Sequence, residues 1–120
     1  MATISDMARI RIEDHLNTEH RQLLRRLTLS DETALTGVMV GTIPENGALL
    51  DHRTDALVKI AGLVALDAGT SSLQAAVDNA FGAGASDEEI LEVVLAAAPV
   101  VGSSRISSIL PRIHLALELD

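Results

Sequence analysis

Between Leu63 and Leu95 the chain reads LVALDAGTSSLQAAVDNAFGAGASDEEILEVVL, and no other stretch restricts the fold as much. Ser86-Asp87-Glu88-Glu89 forms a capping box, serine at the cap and glutamate three residues on, with acidic groups at the positive end of the helix dipole. Ile90, Leu91, Val93, Val94, Leu95, Ala96, Ala97 and Ala98 follow, predicting a helix over 87–98 that is apolar on most sides. Pro99 and Gly102 are expected to stop it. Ser71-Ser72-Leu73-Gln74 predicts a second capping box and a helix over 72–83, with Leu73, Ala76, Val77, Ala80 and Phe81 on one face. Gly84-Ala85-Ser86 is the turn between the two.

Upstream, Asp51 predicts the cap of a helix over 52–68, ended by Gly69. Leu57, Val58, Ile60, Ala61, Leu63, Val64, Ala65 and Leu66 occupy nearly every azimuth of it. Lys59 and Asp67 are the exceptions, and Asp67 must be exposed or paired. A helix apolar all round has to be covered on all sides. Before it, Asp6 predicts the cap of an amphipathic helix to about Leu27, with Ile10, Leu16, Leu23, Leu24 and Leu27 among charges and arginines in its last turn. Ser30-Asp31-Glu32 starts a short helix over 31–40 that ends at Gly41. Residues 42–50 read as a loop, because Pro44 bars helix and Asn46-Gly47 favours a turn. Asn-Gly also suits a hairpin, but its flanks are short and do not alternate. A last helix over 103–118 places Ile106, Ile109, Leu110, Ile113 and Leu117 inward, and Pro111 predicts a kink or a split.

These segments give an all-α fold, a compact bundle of five to six helices in a single domain over 1–120. The hydrophobic fraction is 48% with one Phe and no Tyr or Trp, so the interior must be Leu, Ile, Val and Ala. Two nearly all-apolar helices exceed what one small protomer can cover, which predicts a homo-oligomer. Helix three would fill the protomer core, and helix five or the last helix would form the subunit contact.

Nine basic against seventeen acidic residues give a formal charge of -8. Residues 61–120 hold only two basic against eight acidic groups, which repels a phosphate backbone, so no nucleic-acid partner is expected. Without cysteine there is no disulfide, thiol nucleophile or thiolate metal site. No apolar run is long enough for a signal or a membrane span, so the expectation is a cytoplasmic protein with no membrane partner.

His15 and Glu19 stand four residues apart on one helix face, but His20 falls off that face, and no metal site is assigned. Ser86 lacks a G-x-S-x-G setting and reads as a cap rather than a nucleophile. His52, Arg53, Asp67, Asp78, Arg105 and His114 are the remaining polar candidates. His52 and Arg53 read as exposed first-turn residues, Asp78 as solvated, and His114 as a satisfied, half-buried histidine. Arg105 reads as a holder of a carboxylate ligand or an intersubunit pair.

Leu50-Asp51 with Leu57-Val58-Lys59-Ile60-Ala61, Gly84-Ala85-Ser86-Asp87-Glu88-Glu89-Ile90, and the run from Val93 through Gly102 to Pro111 together resemble the carboxymuconolactone decarboxylase-like family, which includes the alkyl hydroperoxide reductase D-type disulfide reductases. The resemblance covers roughly residues 50–117, with residues 1–49 a variable helical lead-in. It implies an all-helical fold in trimers or hexamers, with active sites near subunit contacts. It also implies a C-x-x-C pair, a His four residues on, and a relay Glu on the preceding helix. The two Cys positions fall on Gly69 and Ser72, the His on Ala76, and the Glu near Ala56 or Leu57. The decarboxylase branch relies on the same His, and the Tyr of many members falls on Val100.

A thiolate, a resolving thiol and a base are needed for disulfide chemistry, and an acid or base for lactone decarboxylation. The expectation is therefore a family member lacking both activities, with an oligomeric binding or accessory role and a small acidic or apolar ligand. No catalytic, cofactor or metal residue is assigned. The alternative is a diverged enzyme acting on a small carboxylate or lactone by acid/base chemistry without thiols. A cavity where Asp67, Arg105 or His114 converge would favour that alternative, and a closed apolar pocket of Leu63, Ala76 and Val77 the silent reading.

Overall fold

A computed structural model describes residues 18–43 and 49–118. All the regular structure in these residues is helical: α1 (Thr18–Thr28), α2 (Glu32–Val40), α3 (His52–Ala65), α4 (Thr70–Gly82), α5 (Asp87–Val101) and α6 (Ser103–Glu118). The expected cap at Asp6, the first part of that helix, His15, Pro44 and Asn46-Gly47 lie outside the described residues. The chain divides into two compact units, Met1–Ala48 and Leu49–Asp120.

In the first unit α1 turns into α2 through Ser30, whose φ is 59°. The turn is clamped by Arg26, which donates to Asp31 at 3.1 Å. Asp31 caps α2 by accepting the Ala34 N–H, and Gly41 ends it in the left-handed region, as the sequence predicts. At Gly37 an added Cβ would lie 2.6 Å from the Ile43 side chain, which would have to shift to admit it.

The second unit is a four-helix bundle in which α3 packs against α4, α5 and α6, and α6 against α4 and α5. Its core is aliphatic: Ile60, Val64, Leu73, Val77, Ile90, Val94, Ile109 and Ile113 are buried, with Ala56, Ala80, Ala85 and Ala116 where helices approach closely. Removing any of the large side chains would leave a cavity costing about 2–5 kcal/mol.

Three helix ends, and the break expected at Pro111, differ from the sequence reading. The third helix stops at Ala65 rather than 68, because Asp67 takes a left-handed φ of 53° and the Ala68 N–H bonds back to the Leu63 carbonyl at 3.0 Å. This shift starts α4 early: Gly69 is its N-cap, with no side-chain cap, and not the terminator of α3. Ser71 and Gln74 therefore form no capping box; Gln74 lies past the first turn and donates to Asp78 at 2.9 Å. Pro99 does not stop α5, which runs on to Val101 and ends at Gly102, whose φ of 92° reverses the chain directly into α6. Pro111 does not split α6, which is one helix. Pro111 and Ser107 are both exposed, so the Ser107 carbonyl deprived of its N–H partner faces water.

The Ser86 box forms as expected: Ser86 Oγ accepts the Glu89 N–H at 3.2 Å and Glu89 accepts the Ser86 N–H at 3.1 Å. The covering of α3 does not follow the sequence reading. Its inward row Ala56, Ile60 and Val64 is buried, but Val58 is 56% and Leu66 76% exposed.

Candidate functional site

The surface between α3 and α4 forms an open groove of about 450 Å³, lined by Ala56, Lys59, Gly62, Leu63, Leu66, Ala76 and Asn79. The helical period places the α3 residues there, since 59, 62, 63 and 66 sit at three- and four-residue spacings beside the buried row. Ala76, half-buried on α4, stands beside Leu73 and Val77, which are in the core. The walls are apolar, and the polar groups are Lys59 and Asn79. Lys59 Nζ is 2.8 Å from Asp55, so the groove presents a neutralised ion pair rather than a free cation. Leu63 and Ala76 line it as expected for an apolar pocket, but Val77 is fully buried behind it and the groove is open rather than closed.

Two of the positions singled out by resemblance meet in this groove and the others do not. Ala56 and Ala76, where the relay Glu and the His would fall, line the same groove, while Gly69 and Ser72 sit exposed at the start of α4. Leu57, the other position considered for the Glu, is not among the lining residues and packs against the core. A side chain at 69 would meet nothing within 4 Å, so the fold leaves room for one there. Val100 is 86% exposed near the end of α5.

The polar candidates do not gather in the groove. Arg105 donates to the Ala65 carbonyl at the C-terminus of α3 and is not among the groove's lining residues. Asp67 accepts from Arg112 at 3.1 Å and more weakly from Ser108 at 3.4 Å. Arg112 also reaches the Ala68 carbonyl at 2.7 Å. Two arginines of α6 thus satisfy the negative end of α3, where cations are favoured. Nothing in the sequence reading singled out Arg112; its seven-residue spacing from Arg105, two helical turns, was the available signal.

Arg53 is not simply solvated, since it pairs with Glu89 and ties the start of α3 to that of α5. His114 is exposed, not half-buried, and its Nε2 lies 3.0 Å from Glu118. Asp78 is exposed and held by Gln74. The buried Gln74 Oε1 has no partner. The carboxyls held below their ordinary range are caps outside the groove: Asp51 by the Thr54 N–H first, then its hydroxyl, and Asp31 by the Ala34 N–H, then Arg26. Among the described residues no three His, Cys, Asp or Glu are placed to share a metal ion, and no helix is long and apolar enough to cross a membrane.

An all-helical bundle with a groove between the helices that precede and follow Asp67-Ala68-Gly69 defines the class of the protein. The model of the carboxymuconolactone decarboxylase family matches residues 33–112, and the chain belongs to that family. The match takes in α2 as well as α3 to α5 and most of α6. No curated protein and no solved structure gives a significant match.

Proposed function

We propose that this family member carries out neither thiol-dependent peroxide or disulfide reduction nor lactone decarboxylation, and that it acts as a cytoplasmic homo-oligomer in a binding or accessory role, its groove taking a small apolar or weakly acidic ligand. The observation that carries this reading is the groove itself. Alanine stands where the resemblance places the His and at 56, one of the two positions considered for the relay Glu, leucine stands at the other, and the whole chain lacks cysteine. Disulfide chemistry needs a thiolate, and decarboxylation a positioned acid or base; apolar walls serve neither. The same walls suit an apolar ligand, and about 450 Å³ lies within the usual range for small-molecule sites. Lys59 and Asn79 offer the ligand a polar end, with Asp55 competing for the ammonium.

The oligomeric part is supported by the exposed apolar side chains on α3 and α5, among them Val58, Leu66, Leu91 and Leu95. A diverged acid/base enzyme is less well supported, because Asp67, Arg105 and His114 are each engaged elsewhere.

The test pairs two activity assays with one binding measurement. Thiol-dependent peroxide turnover and lactone decarboxylation should both stay at the no-protein rate, and calorimetry with octanoate should show saturable binding that Ala76→Phe abolishes. Turnover above background in either assay would overturn the reading of the missing groups. Octanoate binding unchanged by Ala76→Phe would overturn the groove as the ligand site.

A further inference from the structure

The groove between α3 and α4 has one charged lining residue, Lys59, and one side-chain amide, Asn79; the rest of its lining is alanine, glycine and leucine. From Lys59 the α3 wall continues through Gly62 and Leu63 to Leu66, about 10 Å along the helix. Gly62 keeps that length open, because an added Cβ there would meet no atom within 4 Å. A ligand thus meets a polar end at Lys59 and Asn79 and an apolar run beyond it, which is the outline of an aliphatic chain with one polar head.

A lysine at the polar end of an apolar groove would ordinarily favour a carboxylate head. Here the ammonium already holds one: Asp55, one turn earlier on α3, lies 2.8 Å from Nζ. A second carboxylate brought beside Nζ would be attracted by Lys59 and repelled by Asp55 over similar distances, so the two effects largely offset. Nothing then compensates the hydration that an ion loses against apolar walls, a loss far greater than that of an amide or a hydroxyl. The arginines of the bundle supply no second cation, since Arg53, Arg105 and Arg112 bond elsewhere and do not line the groove. The formal charge of -8 on the chain disfavours an anion further. A neutral head meets none of these penalties. Its oxygen can accept from Lys59, whose three N–H donors exceed what Asp55 uses, and from the Asn79 amide.

We infer that the groove prefers uncharged, medium-chain aliphatic molecules with a hydrogen-bond-accepting head over carboxylates of the same length, and that Asp55 sets this preference by occupying Lys59. The inference rests on the groove reading above and chooses between the two ligand classes which that reading admits. The pair has little else to do. Its side chains are 49% exposed at Asp55 and 66% at Lys59, and an exposed i, i+4 contact of this kind contributes little to folding. Asp55 can therefore be changed without unfolding the site it governs.

Calorimetry of the full chain with octanamide and octanoate, at neutral pH and low salt, tests the preference. The parent should bind octanamide several-fold more tightly than octanoate. Asp55→Asn, close in shape but uncharged, should raise octanoate affinity by about two- to five-fold, the range of an exposed charge contact, and leave octanamide unchanged. That gain should vanish at high salt, a dependence that a merely structural effect of the substitution would not show. Asp55→Glu, which keeps the charge, should retain the parent preference. Octanoate binding as tightly as octanamide in the parent, or an octanoate affinity that Asp55→Asn fails to raise, would overturn the role of Asp55 and leave the groove standing as the ligand site. Saturable binding of neither ligand, or binding of both that Ala76→Phe leaves unchanged, would overturn the groove reading as well.

Discussion

Replacing Arg112 by Met tests whether the junction between α3 and α4 is held from α6. The substitution keeps much of the apolar stem and removes the guanidinium. What is lost is a charge-assisted hydrogen bond to the Ala68 carbonyl at 2.7 Å and an ion pair with Asp67 at 3.1 Å. A hydrogen bond from a charged donor contributes about 1.5–3 kcal/mol. The lower half of that range applies, because the Arg112 side chain is still 30% exposed. The Asp67 pair, more exposed, adds at most about 1 kcal/mol. The sum is about 2–3 kcal/mol.

A unit of this size is expected to hold about 4–10 kcal/mol in all. The loss should therefore lower Tm by about 8–20 °C. With no Tyr or Trp in the chain, unfolding is best followed by far-ultraviolet dichroism at 222 nm, at one fixed protein concentration since subunit association would shift the midpoint. Arg112→Lys should fall between parent and Met, because an ammonium keeps the charge but not the planar fork. A Met variant within about 0.5 kcal/mol of the parent would show that the Asp67 turn is self-sufficient and refute the argument.

Three further outcomes follow from the caps and the groove. Ser86→Ala should lower urea stability by about 1 kcal/mol and Ser86→Asp by much less, since the carboxylate still accepts the Glu89 N–H. The Asp51 carboxyl is held below its ordinary 3.8, chiefly by the Thr54 N–H, so its contribution is complete above pH 3.8 and is lost as pH falls through the lowered folded-state value. Asp51→Asn should consequently flatten the acid limb of the stability profile below pH 4 while leaving the neutral region nearly unchanged, as checked by thermal melts across pH. Ala76→Phe, pointing into the open groove, should change stability by less than about 1 kcal/mol, whereas Ala80→Phe in the packed core should cost about 1–3 kcal/mol or more by urea titration.

Local chemistry was legible where one residue type carried the signal. Asp51 and Ser86 cap the helices they were expected to cap, Asp31 caps a helix that begins one residue later than the start read at Ser30-Asp31-Glu32, and Gly41 and Gly84 take the left-handed turns their lack of a Cβ allows. The end of α3 was not legible because Asp67, not a glycine, occupies the left-handed position. Aspartate tolerates that conformation, and Arg112 and Ser108, more than forty residues away, bond its side chain. That displaced turn then erased the expected box at Ser71. Prolines misled for a related reason: Pro99 and Pro111, with Leu95 and Ser107 four residues before them, are exposed, so the carbonyls that lose an N–H partner lie on the solvent sides of α5 and α6.

The groove was partly legible. Leu63 and Ala76 were expected to line it, but its open side depends on how α4 crosses α3, which periodicity does not specify. Arg53 and Arg105 were visible as charges, and their partners, Glu89 and the Ala65 carbonyl, are tertiary facts.

Ala56 and Ala76 line one groove, and whether side chains placed there meet can be measured. Ala56 is 1% exposed, at the inner edge of the groove, whereas Ala76 is half-buried on the opposite wall. A carboxylate placed at 56 would be taken out of water and would need a partner; left alone, an unpaired buried charge costs about 3–5 kcal/mol. The partner that the groove geometry offers is a side chain at 76. Alanine at 56 carries no such penalty and packs in the core cluster with Ile60. The expectation is that Ala56→Glu alone is strongly destabilising, that Ala76→His alone is nearly neutral, and that the double substitution is less destabilising than the sum of the two by about 1–3 kcal/mol. Urea titrations of the four proteins below pH 6, where the imidazole is charged, close the cycle. Strict additivity would mean that the two positions, though lining one groove, do not meet.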